Sequence, residues 1–258
     1  MDELLIDIDN GVATVTINRE RQRNAINYAM WCAMPDLCAD LEANEEVRVV
    51  VWRGAGEEAF SAGGDISEFE RHRSNAAQAQ AYNAKVSAAL ESVLALSKPT
   101  LALIKGYCVG GGFILAAYCD LRMAADNARF GIPVAKLGSL ITYAQMQRFV
   151  HLIGAGATLD LLLTARLMSA QEAVQAQLCS QVYPLATIDD AVYALAERMT
   201  RLSPMAQRAH KLMLQTILHK PDLAQLTDEE RAVLDRSFDS PDYAEGVRAF
   251  IEKRTPEF

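Results

Sequence analysis

Hydrophobic and polar positions alternate with period two in Leu4-Leu5-Ile6-Asp7-Ile8-Asp9 and again in Val12-Ala13-Thr14-Val15-Thr16-Ile17. Asn10-Gly11 lies between them, a pair that tolerates positive φ at both positions, so the pattern predicts a hairpin with a type I′ turn. The period then lengthens. Asn27 to about Leu41 reads as an amphipathic helix, and Pro35 inside it predicts a kink or a restart. Val47 to Trp52 is rich in β-branched residues and predicts a strand ending by Gly54. Ala76 to Leu96 predicts a long helix, stopped at Lys98-Pro99. Leu101 to Ile104 then reads as a strand, Phe113 to Cys119 as a helix, and Asp120 to Ala124 as another short strand. From Gln145 onward the pattern is almost wholly helical. Ser169-Ala170-Gln171-Glu172 and Thr227-Asp228-Glu229-Glu230 have the form of capping boxes. Ser203-Pro204 and Ser240-Pro241 place an N-cap before a first-turn proline. Strands alternating with helices argue for an α/β or mixed fold.

The chain has 258 residues, enough to bury a sizeable core. A formal net charge of −8 gives no electrostatic support to nucleic-acid or polybasic membrane binding. The five cysteines are scattered without CxxC spacing, which predicts reduced, buried thiols in a cytoplasmic protein. The acidic start Met1-Asp2-Glu3 has no signal-peptide character. The longest apolar stretch, Leu101 to Cys119, is broken by Lys105 and four glycines, so no transmembrane helix is expected. The four histidines show no metal-ligand spacing, and no metal is expected.

The chemistry concentrates at two glycine runs. Gly110-Gly111-Gly112 joins the strand Leu101–Ile104 to a helix. Glycine there lets backbone N–H groups approach a ligand closely, at a helix N-terminus where they lack intrahelical partners. Phe60-Ser61-Ala62-Gly63-Gly64-Asp65-Ile66 is a second turn of small residues running into a helical stretch. Two such turns aim two N–H groups at one carbonyl oxygen. A dinucleotide fingerprint fails, because Leu115 stands where its third glycine belongs, and no P-loop pattern occurs.

Taken in order, several motifs carry a resemblance. They are Asn18 to Ile26, Phe60 to Ile66, Gly106 to Gly112, Cys119-Asp120-Leu121-Arg122 and Phe130-Gly131-Ile132-Pro133. They continue through Met146 to Phe149, Met168 to Ala173 and Phe250 to Arg254. Together they resemble the enoyl-CoA hydratase/isomerase (crotonase) superfamily over essentially the whole chain. The resemblance implies an α/β spiral of ββα units spanning 1–201. It also implies a C-terminal helical region, 202–258, that covers the active site and builds homotrimers or homohexamers. It implies an acyl thioester of coenzyme A as substrate, CoA being part of that substrate, with no prosthetic group.

By the same resemblance the N–H groups of Gly64 and Gly111 form an oxyanion hole. Arg21, Arg23, Ala25, Ala62, Gly63 and Asp65 border the CoA, and Phe250 and Lys253 reach a neighbouring subunit's CoA. Asp65 also reads as a cap for the helix after it. The departures from the family pattern carry as much weight. Relatives place glutamates where this chain has Ile114 and Val134, and some place an aspartate where it has Thr142. Hydration needs a base and an acid, each worth roughly 10²–10⁴-fold, so slow hydration is expected. Candidate substitutes are Tyr143 first, then Gln145, Glu68, Glu70 and His72. Lys136 is expected at the surface, and Cys108 in apolar packing.

Overall fold

The N-terminal hairpin pairs β1 (Leu4–Asp9) with β2 (Val12–Ile17) antiparallel, Asp9 opposite Val12. Asn10 and Gly11 both take positive φ, 49° and 80°, as a type I′ turn demands. The computed structural model describes residues 2–258. The remaining strands are β3 (Val49–Gly54), β4 (Ala59–Ser61), β5 (Thr100–Ile104), β6 (Tyr107–Val109), β7 (Leu121–Ala125), β8 (Arg129–Gly131), β9 (Met168–Ser169) and β10 (Gln181–Tyr183). The helices are α1 (Tyr28–Ala43), α2 (Phe69–His72), α3 (Ala76–Ala95), α4 (Gly111–Tyr118), α5 (Tyr143–Thr164), α6 (Ala170–Gln175), α7 (Ile188–Thr200), α8 (Pro204–His219), α9 (Asp228–Arg231), α10 (Val233–Ser237) and α11 (Pro241–Glu252).

After the hairpin, the consecutive strand pairs β3/β4, β5/β6 and β7/β8 each send their two members to different sheets. The first of each pair joins a six-stranded sheet, β1-β2-β3-β5-β7-β10, parallel from β2 onward. The second joins a four-stranded sheet, β4-β6-β8-β9, where β4, β6 and β8 run parallel. This repeated turn between sheets is the ββα spiral. It brings the C-terminal ends of β4, β6 and β8 side by side, the position from which parallel sheets present ligands.

Period two along the long strands divides the core. Val50, Trp52, Ala102, Ile104 and Ala124 face α1, α3 and α4, where Trp31, Met34, Leu90 and Phe113 are buried. Val49, Val51, Leu101, Leu103 and Met123 face the other way, onto Ile188, Val192 and Ala196 of α7. Each fully buried large side chain contributes about 1.5–3 kcal/mol. With both faces covered, the central strands read as unbroken apolar runs.

The Cys119–Arg122 motif is part of this scaffold. Arg122 donates to the carbonyls of Cys119 (2.7 Å), Leu178 (2.6 Å) and Ala116 (3.3 Å). It thereby satisfies the carbonyl groups left open at the end of α4. Asp120 accepts from the backbone and hydroxyl of Thr100 and from Lys211 at 2.8 Å.

The stretch after Gln145 is almost all helix, as expected, interrupted by the short strands β9 and β10. Two sequence expectations need correction. Pro35 does not restart its helix, since α1 is one element from Tyr28 to Ala43; tertiary packing of Met34, Leu37 and Cys38 outweighs one lost hydrogen bond. The short strands β4, β6 and β8 lie outside the predicted strands, being three residues long each.

Candidate active site

The two glycine turns leave from the adjacent parallel strands β4 and β6, so they stand next to each other. Gly63 (φ 107°) and Gly110 (φ 52°) adopt backbone conformations that side chains disfavour, and each redirects the chain at a strand end. Ile26 N–H donates to the Gly63 carbonyl (2.7 Å), and Asp65 N–H donates to the Ile26 carbonyl (3.0 Å). That parallel bridge uses the residues on either side of Gly64 and turns the Gly64 N–H away from Ile26. Gly111 is the first residue of α4, where a helix leaves its N–H open. Among the described residues neither N–H has a backbone or side-chain acceptor. A Cβ placed on Gly111 would lie 3.1 Å from the Gly64 nitrogen, which measures how closely the turns approach.

Both glycines open on one cavity of about 150 Å³. Ile114 and Val134 lie on its wall, so the positions that hold glutamates in the resembled pattern do face the site. Phe69, Val86 and Ile141 add to the apolar lining. The polar groups are few. Tyr82, from α3, places its hydroxyl 3.3 Å from where a Cβ on Gly64 would be. Burial pushes this phenol up to about 12, so it stays a protonated donor at neutral pH. The indole N–H of Trp31, facing the same hydroxyl, is buried without an acceptor in hydrogen-bonding geometry. The one charged side chain on the lining, among the described residues, is Arg73.

The expected site residues separate into three groups. Ala62, Gly63, Gly64 and Gly111 line the cavity, and Ala62 N–H is fastened to the Arg23 carbonyl at 2.9 Å. Arg21, Arg23 and Ala25 form the neighbouring loop. Arg21 is exposed, Arg23 pairs with Glu58 (2.5 Å) over the Tyr107 ring, and the Ala25 carbonyl accepts from Arg19. Phe250 and Lys253 are exposed on and just after α11, away from this cavity.

Several candidates prove to be occupied elsewhere. Tyr143 is 96% exposed at the first position of α5 and does not line the cavity, so the geometry withdraws it as a proton donor. Its neighbours Thr142 and Gln145 do line the cavity but cap α5 reciprocally: Thr142 N–H donates to Gln145 (3.0 Å), and Gln145 N–H to the Thr142 hydroxyl (3.2 Å). Asp65 accepts from the Ser67 hydroxyl (2.6 Å) and backbone and pairs with Arg19 (2.9 Å). These contacts, Ser67 first, hold its carboxyl below the usual range. Glu68 accepts from Tyr28 N–H at 2.7 Å, at the start of α1, and His72 stacks on Tyr28 at 4.3 Å. Glu70 and Lys136 are exposed, and Cys108 is buried in the core, where burial raises its thiol.

Trp31, Arg73 and Tyr82 are absent from the sequence expectations. Tyr82 had a faint signal, being the one aromatic residue of the alanine-rich α3. Trp31 had none, since its spacing is that of any core residue of α1.

The enoyl-CoA hydratase/isomerase family model matches residues 7–258. A probable enoyl-CoA hydratase of Mycobacterium bovis is 33% identical, over 100% of this chain and 98% of that protein. The crystal structure of an enoyl-CoA hydratase/carnitine racemase from Magnetospirillum magneticum superposes with a TM-score of 0.95 at 37% identity, covering 100% of this chain and 96% of the other. That of a putative family member from Hyphomonas neptunium gives 0.94 at 34% identity, over 99% and 97% of the two chains.

Proposed function

Because this chain belongs to the enoyl-CoA hydratase/isomerase family, we propose that it binds an acyl-CoA thioester and holds the thioester oxygen between the Gly64 and Gly111 N–H groups. The observation that carries this reading is the pair of backbone donors, adjacent, without acceptors, opening on one cavity. Breaking a bond at Cα, or adding a nucleophile at Cβ, moves an electron pair onto that oxygen. Donors already fixed in place stabilise the enolate without reorganising, each worth about 2.7–4 kcal/mol. The Tyr82 hydroxyl beside Gly64, and the Trp31 N–H that faces it, extend the same donor surface. Coenzyme A enters as part of the substrate and leaves past Ala62 toward the Arg21–Arg23 loop.

The chemistry downstream of the enolate differs from ordinary hydration. With Ile114 and Val134 on the walls, no carboxylate among the described residues lines the cavity to activate water or to return a proton to Cα. Decarboxylation asks less of such a site, because the departing CO₂ leaves its electron pair for the enolate and no base is needed. Thioester hydrolysis and acyl-CoA binding without turnover are the remaining readings. The protein functions in the cytoplasm in this account, in keeping with five free cysteines. Residues 202–258 form the assembly region of a homotrimer or homohexamer, in which Phe250 and Lys253 meet a neighbour's CoA. The apolar side chains left exposed there, such as Leu214, Leu234 and Ile251, support that role.

Calorimetry with acetyl-CoA, crotonyl-CoA and free crotonate tests the binding, and loss of the enoyl absorbance tests hydration. Both thioesters are expected to bind and crotonate is not. Crotonyl-CoA hydration is expected far below about 10 s⁻¹, the median enzyme turnover. Equal binding of all three compounds would sink the oxyanion reading, and hydration at the median rate would refute the consequence drawn from Ile114 and Val134.

A further inference from the structure

Arg73 follows α2, its N–H bonded to the Phe69 carbonyl at 2.7 Å. Its guanidinium carbon lies 4.7 Å from the centre of the Phe69 ring and 5.1 Å from that of Tyr82. Stacking on two rings holds the group over the cavity wall at little cost in side-chain freedom. No described carboxylate comes within ion-pair distance of it. The nearby acids are turned away, Asp65 to Arg19 and Ser67, Glu68 to the start of α1. No Asp, Glu, His or Lys lines the cavity. Among the described residues a cation therefore stands as the single formal charge on a pocket otherwise lined by apolar and neutral polar groups, one aromatic ring removed from Gly64.

A pocket of this kind disfavours a plain alkyl chain, whose entry would strip water from the guanidinium and return nothing. It favours an anion with two coplanar oxygens, which the guanidinium fork binds bidentately. Resting on the acyl-CoA reading of the site, we propose that the acyl group carries a free carboxylate bound by Arg73, so that the substrate is the CoA monothioester of a dicarboxylic acid. Asn83, next to Tyr82 on α3 and also on the lining, supplies a neutral donor on the same side. One end of the acyl group is then held at Gly64 and Gly111 and the other at Arg73. The carbons between lie along Val86, Ile114 and Val134.

The test is calorimetry of the full-length protein with matched pairs of thioesters, each pair differing by a carboxylate in place of a methyl: malonyl- against propionyl-CoA, succinyl- against butyryl-CoA, glutaryl- against valeryl-CoA. At least one dicarboxylyl thioester is expected to bind tenfold or more tightly than its neutral partner. Arg73→Leu keeps an apolar side chain over Phe69 and Tyr82. It is expected to abolish that advantage while leaving the neutral thioesters within about twofold. Equal affinity within all three pairs of the parent would overturn the proposal. So would a parallel loss of charged and neutral thioesters in Arg73→Leu, which would place the guanidinium on a CoA phosphate. Absence of binding by every thioester would instead bring down the acyl-CoA reading itself, and this inference with it.

Discussion

A single atom separates two kinds of glycine in the Gly110–Gly112 turn. A Cβ on Gly111 would lie 3.1 Å from the Gly64 nitrogen and 3.2 Å from Trp31 Cζ2, inside the space an oxyanion would fill. A Cβ on Gly112 would lie 2.6 Å from both Cβ and the carbonyl oxygen of Ser61, behind the site and against the β4 backbone. Gly111→Ala is therefore expected to weaken acetyl-CoA binding at least tenfold while thermal unfolding moves little. Gly112→Ala is expected to lower the unfolding midpoint first, overpacking costing about 1–3 kcal/mol. Calorimetry and thermal melts on the two variants separate the effects, and equal behaviour would contradict the geometry. Both glycines were visible in the sequence as one run. The resemblance singled out Gly111, but that Gly112 backs onto Ser61 was not visible, because that depends on the strand lying beside them. The loss of Tyr143 has the same origin: Thr142 is the N-cap of α5, and the first residue after an N-cap points outward here.

At the scale of the element, caps were the most legible feature and three-residue strands the least. The predicted capping boxes at Ser169 and Thr227 both form, as do the serine caps before Pro204 and Pro241. A cap is a local exchange of hydrogen bonds within four residues, so local sequence suffices to specify it. At Ser169 the exchange is tightened by Arg166. Glu172 accepts from Ser169 N–H (2.7 Å), its hydroxyl (2.8 Å) and Arg166 (2.8 Å), and these bonds pull its carboxyl from 4.5 down to about 2. A depressed pKa adds stability that is complete above the unfolded value and is lost as pH falls through the folded one. Urea midpoints of the parent should therefore fall between pH 4.5 and about 2, and Glu172→Gln should flatten that part of the profile. Ser169→Ala should cost about 0.5–2 kcal/mol at neutral pH. An unchanged acid profile in Glu172→Gln would show that other carboxylates govern it. The strands β4, β6 and β8 had no such local signature. Three residues show no period, and their pairing partners lie tens of residues away.

The whole molecule leaves much apolar surface on its last helices. Phe250 is 85% and Ile251 73% exposed on α11, and Leu214 and Leu234 are exposed on α8 and α10. Patches of this kind mark protein interfaces. Sedimentation is expected to show a trimer or hexamer, and Phe250→Asp to shift it toward smaller species; a parent that sediments as a monomer would refute the assembly. By itself the sequence determined the hairpin, the main helices and strands, the caps and the two glycine turns. Each of these is a property of adjacent residues or of a short period, which the chain carries wherever it is folded. Tertiary structure decided the rest. It sent alternate strands to two sheets, set β4 beside β6, and so placed Gly64 and Gly111 at one cavity. It paired Asp65 with Arg19, set Glu68 on the start of α1, and brought Trp31, Arg73 and Tyr82, three residues without a shared motif, onto the same wall. Such positions are set by non-local strand pairing and side-chain packing, energies that exist only between residues far apart along the chain.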